Sequence, residues 1–463
     1  MLLQFRDQQQ LQPSPAAVNP PANVPEAAPP AGNGFRRTTL ENGLRIVTEH
    51  IPETRVASIG VIIECGSRDE SDGEAGLAHL CEHLLFQGTS SRSALQIGRQ
   101  MDFAGGQIGG FTTRDYTCLH AVVLADHVYY ALDLIGDVLL NSTFPADALA
   151  KEKSAILREL EGGSDVPSVR VVELLKRRAW PAHTLGSPIA GTAEAVSRHS
   201  REDLIYFFHK NYTPNRILIA AAGNIDHDAF EADCRDAFWR LMGDSERPAL
   251  AKPVFKRGVS FDTIASAQTY FAIGIPAPAY AYEERVATHL LTGLLGTGYS
   301  SRLFRRLRED TGLVYDVHAD YHAYAEAGMI LIEGATRPDR VEEAVEITLD
   351  TWERLVSGDE PVEDEELIGA KNRLRSQHLI SSGDMYTRMS RLATQELYFG
   401  RTFDGADIPD RIAAATSQTV QDEARRLGGA INRQVLHVAV TGPPFPEAPD
   451  QGASRMNPRK GGN

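Results

Sequence analysis

The chain has 463 residues and a formal net charge of −15, from 62 acidic and 47 basic residues. This acidic balance argues against nucleic-acid binding, which needs a basic patch. No apolar run reaches the roughly 18 residues of a membrane-spanning helix, and the N-terminus lacks the pattern of a signal peptide, so we expect a cytoplasmic protein. The four cysteines have no CxxC spacing and predict reduced thiols rather than a disulfide scaffold.

Low-complexity segments stand at both ends of the chain. Residues 1–34 are rich in Pro, Ala, Gln and Asn, a composition that cannot pack a core and predicts a disordered tail. Residues 446–463 predict a second loose tail. The polar, Pro-punctuated stretch 243–257 suits a linker. It divides the rest into a predicted N-terminal half, 35–247, and a C-terminal half, 248–445.

The first motif with chemical content is His79-Leu80-Cys81-Glu82-His83. Its flanks are apolar almost all round, which predicts a buried helix. On a helix, His79 and His83 lie about 40° apart around the axis, so that their imidazoles can share one zinc ion. Glu82 lies beside them and can take a proton from a metal-activated water. The alternative is a pair of hydrogen-bonded core histidines with Glu82 as their partner.

Further along, the strand-like CLHAVVLADH leads into the helical YYALDLIGDVLLN, and a second helix begins at Pro145 and ends near Gly162. On that helix Glu152 and Glu159 return to the same, apolar side, within about 20° of each other. Helix propensity gives no reason for two carboxylates on the apolar side of a helix. Either they face an ion, or each forms a local salt bridge.

An internal repeat predicts the architecture. GMILIEGATRPD followed by RVEEAVEITLDTWERLV repeats the strand and helix of the first half, and His289 opens a stretch that matches the zinc motif without its Glu and second His. Ile368 and Arg375 stand where the first copy has Glu152 and Glu159. We therefore expect an α+β fold of two homologous α/β-sandwich halves, of which only the first binds metal.

Together these stretches resemble the insulinase/pitrilysin family of zinc peptidases, and within it the half-length branch that is similar to mitochondrial processing peptidases. The resemblance covers about residues 36–445. It implies a clamshell of two halves and one zinc ion per chain, with His79, His83 and Glu159 as its ligands. It further implies that Glu82 is the general base and that Glu152 supports the site without binding the metal.

The resemblance also implies where a substrate lies. The strand after the zinc helix is expected to form the edge along which an extended peptide binds, at Gly109, Gly110 and Phe111. The family usually has Asn-Ala where this chain has Gly109-Gly110, which removes a side-chain contact and loosens the strand. In the second half, Arg302 and Tyr315 match residues that grip the peptide backbone in the family.

The predicted function is therefore a zinc-dependent endopeptidase that hydrolyses unfolded peptides or protein segments, using metal-activated water with Glu82 as general base. Its expected partners are the peptide substrate and a second copy in a homodimer, or a related chain in a heterodimer; no nucleic acid or membrane is expected. Two alternatives stay open. One is a non-cleaving, peptide-binding scaffold subunit of a processing-peptidase-like heterodimer, and the other is a zinc hydrolase acting on a non-peptide amide.

Overall fold

A computed structural model describes residues 34–247, 251–403, 407–429 and 436–444. The strands of the first half are β1 (Phe35–Thr39), β2 (Arg45–His50), β3 (Val56–Ile63), β4 (Gln107–Thr112), β5 (Thr117–Leu124) and β6 (Ile217–Gly223). Those of the second half are β7 (Gly258–Thr263), β8 (Thr269–Ala277), β9 (Val314–Ala323), β10 (Gly328–Thr336) and β11 (His437–Gly442).

Helices follow and separate these strands. The first half has α1 (Leu77–Leu85), α2 (Ala94–Ala104), α3 (Val128–Asn141), α4 (Ala146–Ser164), α5 (Pro167–Ala179), α6 (Ala193–Arg198), α7 (Arg201–Asn211) and α8 (His227–Phe238). The second has α9 (Arg285–Gly296), α10 (Arg302–Phe304), α11 (Val341–Ser357), α12 (Asp364–Ser381), α13 (Met385–Phe399), α14 (Asp407–Ala414) and α15 (Ser417–Gly428). A π-helical turn over Arg305–Glu309 continues α10.

The two sheets repeat one topology. The first has the strand order β1-β2-β6-β3-β5-β4 and the second β7-β11-β8-β10-β9. In each, one parallel pair (β2 with β6, β7 with β11) adjoins antiparallel pairs. The strand β9 therefore takes the edge position that β4 has in the first sheet. This confirms the predicted α+β fold of two homologous halves.

Central strands of the first sheet are buried on both faces, which explains their continuous apolar sequences. All seven residues of β6 are buried, and so are seven of the eight in β3. Ile217 and Ile219 face a core shared with α1, α3 and α7, whereas Leu218 and Ala220 face the opposite way. Two helical layers must therefore cover this sheet.

The second layer on each sheet comes from the other half of the chain. Met389 and Leu392 of α13 pack against Ile62 and Leu218 of the first sheet. In turn, α5 packs on the second sheet, where Leu175 belongs to one buried cluster with Met329 and Leu331. Neither half is therefore a self-contained sandwich, although the strands divide between the sheets at the predicted join.

Ion pairs reinforce the exchange of helices. Arg388 of α13 pairs with Glu49 of β2, and Arg170 of α5 pairs with Asp262 of β7. Arg68 pairs with Asp115 and also with Glu326 of the second half, and its side chain is fully buried. Buried charges of this kind are tolerated only when they are paired. Each of the three arginines thus pairs with an acid of the other half.

Four smaller predictions concern the tails, the cysteines, membrane-spanning helices and the domain bounds. The predicted tails, 1–34 and 446–463, lie outside the described residues except for Gly34, whose carbonyl accepts a hydrogen bond from the His50 amide. All four cysteines are buried and free. Within the described ranges, no helix combines the length and apolar character needed to cross a membrane. The division into 35–247 and 248–445 as separate domains stays a prediction.

Candidate metal centre

The helix α1 presents three polar side chains that point the same way from an otherwise apolar helix. The ring centroids of His79 and His83 are 4.5 Å apart. Ligand atoms of His79, Glu82 and His83 all lie within 4.8 Å of one another. This is the arrangement that the spacing of the motif predicts for a helix buried beside the first sheet.

A second carboxylate reaches the same point from α4. Glu159 Oε2 lies 3.9 Å from His79 Nε2 and 4.0 Å from His83 Nε2. Ligand atoms on a tetrahedral zinc ion are roughly 3.3–3.5 Å apart, given bonds of about 2.0–2.2 Å. A small movement of the Glu159 side chain, which is 57% exposed, closes that difference. Two imidazole nitrogens and one carboxylate oxygen therefore fit a zinc ion.

Glu152 orients the site without facing the two Nε2 atoms. His83 Nδ1 donates to Glu152 Oε2 at 2.9 Å, and the Gln87 amide donates to Glu152 Oε1 at 3.0 Å. Because a carboxylate only accepts, Nδ1 of His83 carries a proton, and Nε2 is the nitrogen that can bind a metal when the ring is neutral. The supporting role that the resemblance implies for Glu152 stays a prediction. The sequence pattern did not identify Gln87.

Burial shifts the pKa values of two side chains in the cluster, His79 and Glu82. It lowers the pKa of His79 to about 4, with His83 adding to the effect, so the imidazole is neutral near pH 7. Its Nδ1 is buried without a hydrogen-bond partner among the described residues. Burial also raises the pKa of Glu82; Glu159 and Glu152 act in the same direction, whereas His83 opposes them. Neutral imidazoles are the form that binds metals.

Glu70 fixes the start of α1 and was missed by the sequence analysis. Its buried carboxylate accepts from the backbone amides of Gly76 at 2.9 Å and Ala78 at 2.8 Å. Free amides at a helix N-terminus favour an acidic partner. The acid-rich turn before the helix was the available signal. Glu70 thus anchors the turn that carries His79.

The edge strand β4 passes directly over Glu82. In the described part of the chain it pairs only with β5, so its other edge is open. A Cβ atom on Gly110 would come within 2.9 Å of Glu82 Oε1, whereas Gly109 leaves open space apart from His120 at 3.7 Å. Phe111 points to the opposite face, where its ring packs near Tyr116 and His120. Gly110 therefore provides the space that the Glu82 carboxylate occupies.

Arg302 and Tyr315, the two residues predicted to grip the substrate, have different neighbours in the structure, and their roles stay predictions. Arg302 donates to Glu366 and to the carbonyls of Glu360 and Pro361, the latter two at 2.7 Å, which ties α10 to the start of α12. These hydrogen bonds occupy its guanidinium, which speaks against a role in binding substrate. The sequence alone did not reveal these long-range acceptors.

Tyr315 has a different arginine beside it. Its side chain is 77% exposed at the start of β9. The guanidinium carbon of Arg308 lies 4.7 Å from the centre of its ring. Among the described residues, no hydrogen bond, ion pair or ring contact joins Tyr315 to the α1–α4 cluster. Arg308, which the sequence analysis passed over, is thus the arginine that contacts Tyr315.

Two family models match the chain in succession. The model described as Insulinase (Peptidase family M16) matches residues 45–193, which contain the whole α1–α4 cluster. The model described as Peptidase M16 inactive domain matches residues 198–374, which begin after the α1–α4 cluster and run from the end of α6 into α12.

Curated relatives and solved structures agree with these matches. An uncharacterized zinc protease of Mycobacterium tuberculosis is 36% identical over 406 residues, which cover 87% of this chain and 92% of the relative. An uncharacterized zinc protease of Bacillus subtilis is 33% identical over 396 residues, or 85% and 95% of the two chains.

Two solved structures share the fold. A peptidase M16 inactive domain from Pseudomonas fluorescens superposes with a TM-score of 0.82 at 20% identity, covering 89% of this chain and 98% of the other. A protease from Helicobacter pylori gives a TM-score of 0.80 at 18% identity, covering 88% and 99%.

Proposed function

The chain belongs to the insulinase family, peptidase family M16, and we propose that it is a zinc-dependent endopeptidase acting on extended peptides. The observation that carries the proposal is the position of Glu159 Oε2, 3.9 Å and 4.0 Å from the two Nε2 atoms of His79 and His83. Helices from two separate segments thus converge on one point with the donor set that catalytic zinc prefers. The zinc protease names of the relatives support the same metal.

In this proposal His79, His83 and Glu159 hold the metal, and Glu152 keeps His83 in the required tautomer. When bound, zinc supplies Lewis acidity, which polarises a carbonyl and makes water easier to deprotonate. Glu82 is the residue that accepts the proton from the attacking water. It then returns a proton to the leaving amine as the peptide bond breaks.

The open edge of β4 supplies the binding surface for the substrate. An extended peptide can add to this edge through main-chain hydrogen bonds, which gives affinity with modest sequence selectivity. Because Glu82 packs against Gly110, a peptide held there has its backbone next to the general base. Tyr315 and Arg308 are proposed to contact the peptide from the second half.

Hydrolysis of quenched fluorescent peptides tests the proposal. Wild-type protein loaded with zinc should cleave unstructured peptides, and Glu82→Gln should abolish cleavage while it keeps the metal, because an amide cannot accept the proton. Peptide binding without cleavage by wild-type protein would instead favour the non-cleaving scaffold subunit. Undiminished cleavage by Glu82→Gln would refute the assigned base.

A further inference from the structure

The second half contains a cavity of about 320 Å³ between α9, α12, α13 and α14. His289 of α9, which matches His79 in the repeat, lines it. The positions that match Glu82 and His83 hold Thr292 and Gly293, so this half has a cavity beside the counterpart of His79 but lacks the other two residues of the motif.

Two arginines reach this cavity without a carboxylate partner. The guanidinium of Arg285 lies over the Tyr280 ring at 4.0 Å and donates to the Tyr280 carbonyl at 3.3 Å. Arg391 Nη1 lies 3.2 Å from Ser382 Oγ and from the His378 ring nitrogens. No described carboxylate forms an ion pair with either arginine. Since a guanidinium has five donors, both keep donors for an anion.

The acids at the cavity restrict the charge of that anion. Glu283 lines it but pairs with Arg401 at 2.8 Å and with Arg411 at 3.4 Å, and Asp407 lines it as well. Repulsion by these carboxylates offsets part of the attraction of Arg285 and Arg391, and the cost of removing an anion from water rises steeply with its charge, so the cavity favours a monoanion over a dianion such as phosphate. Burial, with Arg285 nearby, lowers the pKa of His289 to about 4, so this ring adds no charge near pH 7.

The remaining lining is apolar and includes Val286, Phe399, Ile408 and Ile412. Ligand sites typically combine such walls with a few convergent polar groups, and this volume is at the small end of their range. We propose that the cavity binds a small monoanionic carboxylate with an apolar body, its carboxylate held by Arg285 and Arg391. The same chemistry is offered by a free apolar acid and by the C-terminal residue of a peptide.

Calorimetric titration of the full-length, zinc-loaded protein tests the proposal, with N-acetyl-L-phenylalanine and its uncharged amide as probes. The acid should bind at one site per chain, and the amide at least about tenfold more weakly because it lacks the charge. Arg285→Gln and Arg391→Gln should each weaken binding of the acid by about tenfold or more. Arg337→Gln, which changes an exposed arginine of the same half, should leave binding unchanged.

Three results would overturn the proposal. They are equal binding of acid and amide, no binding of the acid up to its solubility limit, and binding that survives both arginine variants but is lost in His79→Ala/His83→Ala. The last would place the acid on the metal centre. A peptide ending in Phe with a free carboxylate separates the two sources. Binding at least as tight as that of the acid indicates a peptide C-terminus, and exclusion of the peptide indicates a free acid.

Discussion

Replacement of Glu152 tests whether a carboxylate outside the metal shell controls zinc affinity. Glu152→Ala removes the acceptor of two hydrogen bonds, from His83 Nδ1 at 2.9 Å and from the Gln87 amide at 3.0 Å. The His83 ring then loses the partner that fixes its tautomer and orientation. Loss of such a partner typically costs about 10–100-fold in metal affinity, or about 1.4–2.8 kcal/mol.

Competition for zinc against a chromophoric chelator measures this loss directly. Glu152→Ala should bind zinc about 10–100-fold more weakly than wild type, and Gln87→Ala should lose less because His83 keeps its bond. Glu161→Ala is the matched control on the same helix, since Glu161 is exposed. Zinc affinity within twofold of wild type in Glu152→Ala would refute the reasoning. A loss as complete as that of Glu159→Ala would make Glu152 a ligand.

Three further predictions concern Glu159, the arginines near Tyr315, and His322 of β9. Glu159→Gln should lose zinc during dialysis that wild type withstands, as metal analysis will show, because an amide is a poor substitute for a carboxylate ligand; full retention would exclude Glu159 as a ligand. Tyr315→Phe and Arg308→Gln should slow peptide turnover at unchanged zinc content. Arg302→Gln should instead lower the melting temperature, because it removes about 2 kcal/mol of charged hydrogen bonding. Slower turnover in Arg302→Gln with normal turnover in Arg308→Gln would restore Arg302 as the substrate contact. Burial and nearby Lys176 lower the pKa of His322 to about 4 from 6.5. The contribution of this neutral ring to the free energy of unfolding is therefore full above pH 6.5 and is lost as the pH falls towards 4. Chemical denaturation of His322→Gln should show a smaller loss of stability over that pH range than wild type, by up to about 3 kcal/mol.

The helix α1 could be predicted because all the residues of its motif lie within one short stretch of the sequence. The imidazoles of His79 and His83 share a side of α1 by helix geometry alone, and the observed helix, Leu77–Leu85, contains the whole motif. Prediction of α4 was similar: it runs over Ala146–Ser164, one residue after Pro145. Local periodicity decides both elements, because each buries one side against the same core.

Contacts between distant segments could not be predicted in this way. The periodicity of α5 and α13 indicates an apolar side but not that each packs on the sheet of the other half. The same holds for Arg302, whose acceptors come from residues about 60 positions later. A basic segment with several arginines offers no local means to choose between Arg302 and Arg308. Only the folded chain places Arg308 beside Tyr315.

Anomalous diffraction from crystals of the zinc-loaded protein, recorded on both sides of the zinc absorption edge, tests the central claim most directly. The account predicts one anomalous peak per chain, at about 2.0–2.2 Å from the Nε2 atoms of His79 and His83 and from a carboxylate oxygen of Glu159. Glu82 should lie outside the metal shell, and Glu152 should still accept from His83 Nδ1. A peak elsewhere, or one ligated by Glu82 in place of Glu159, would contradict the account.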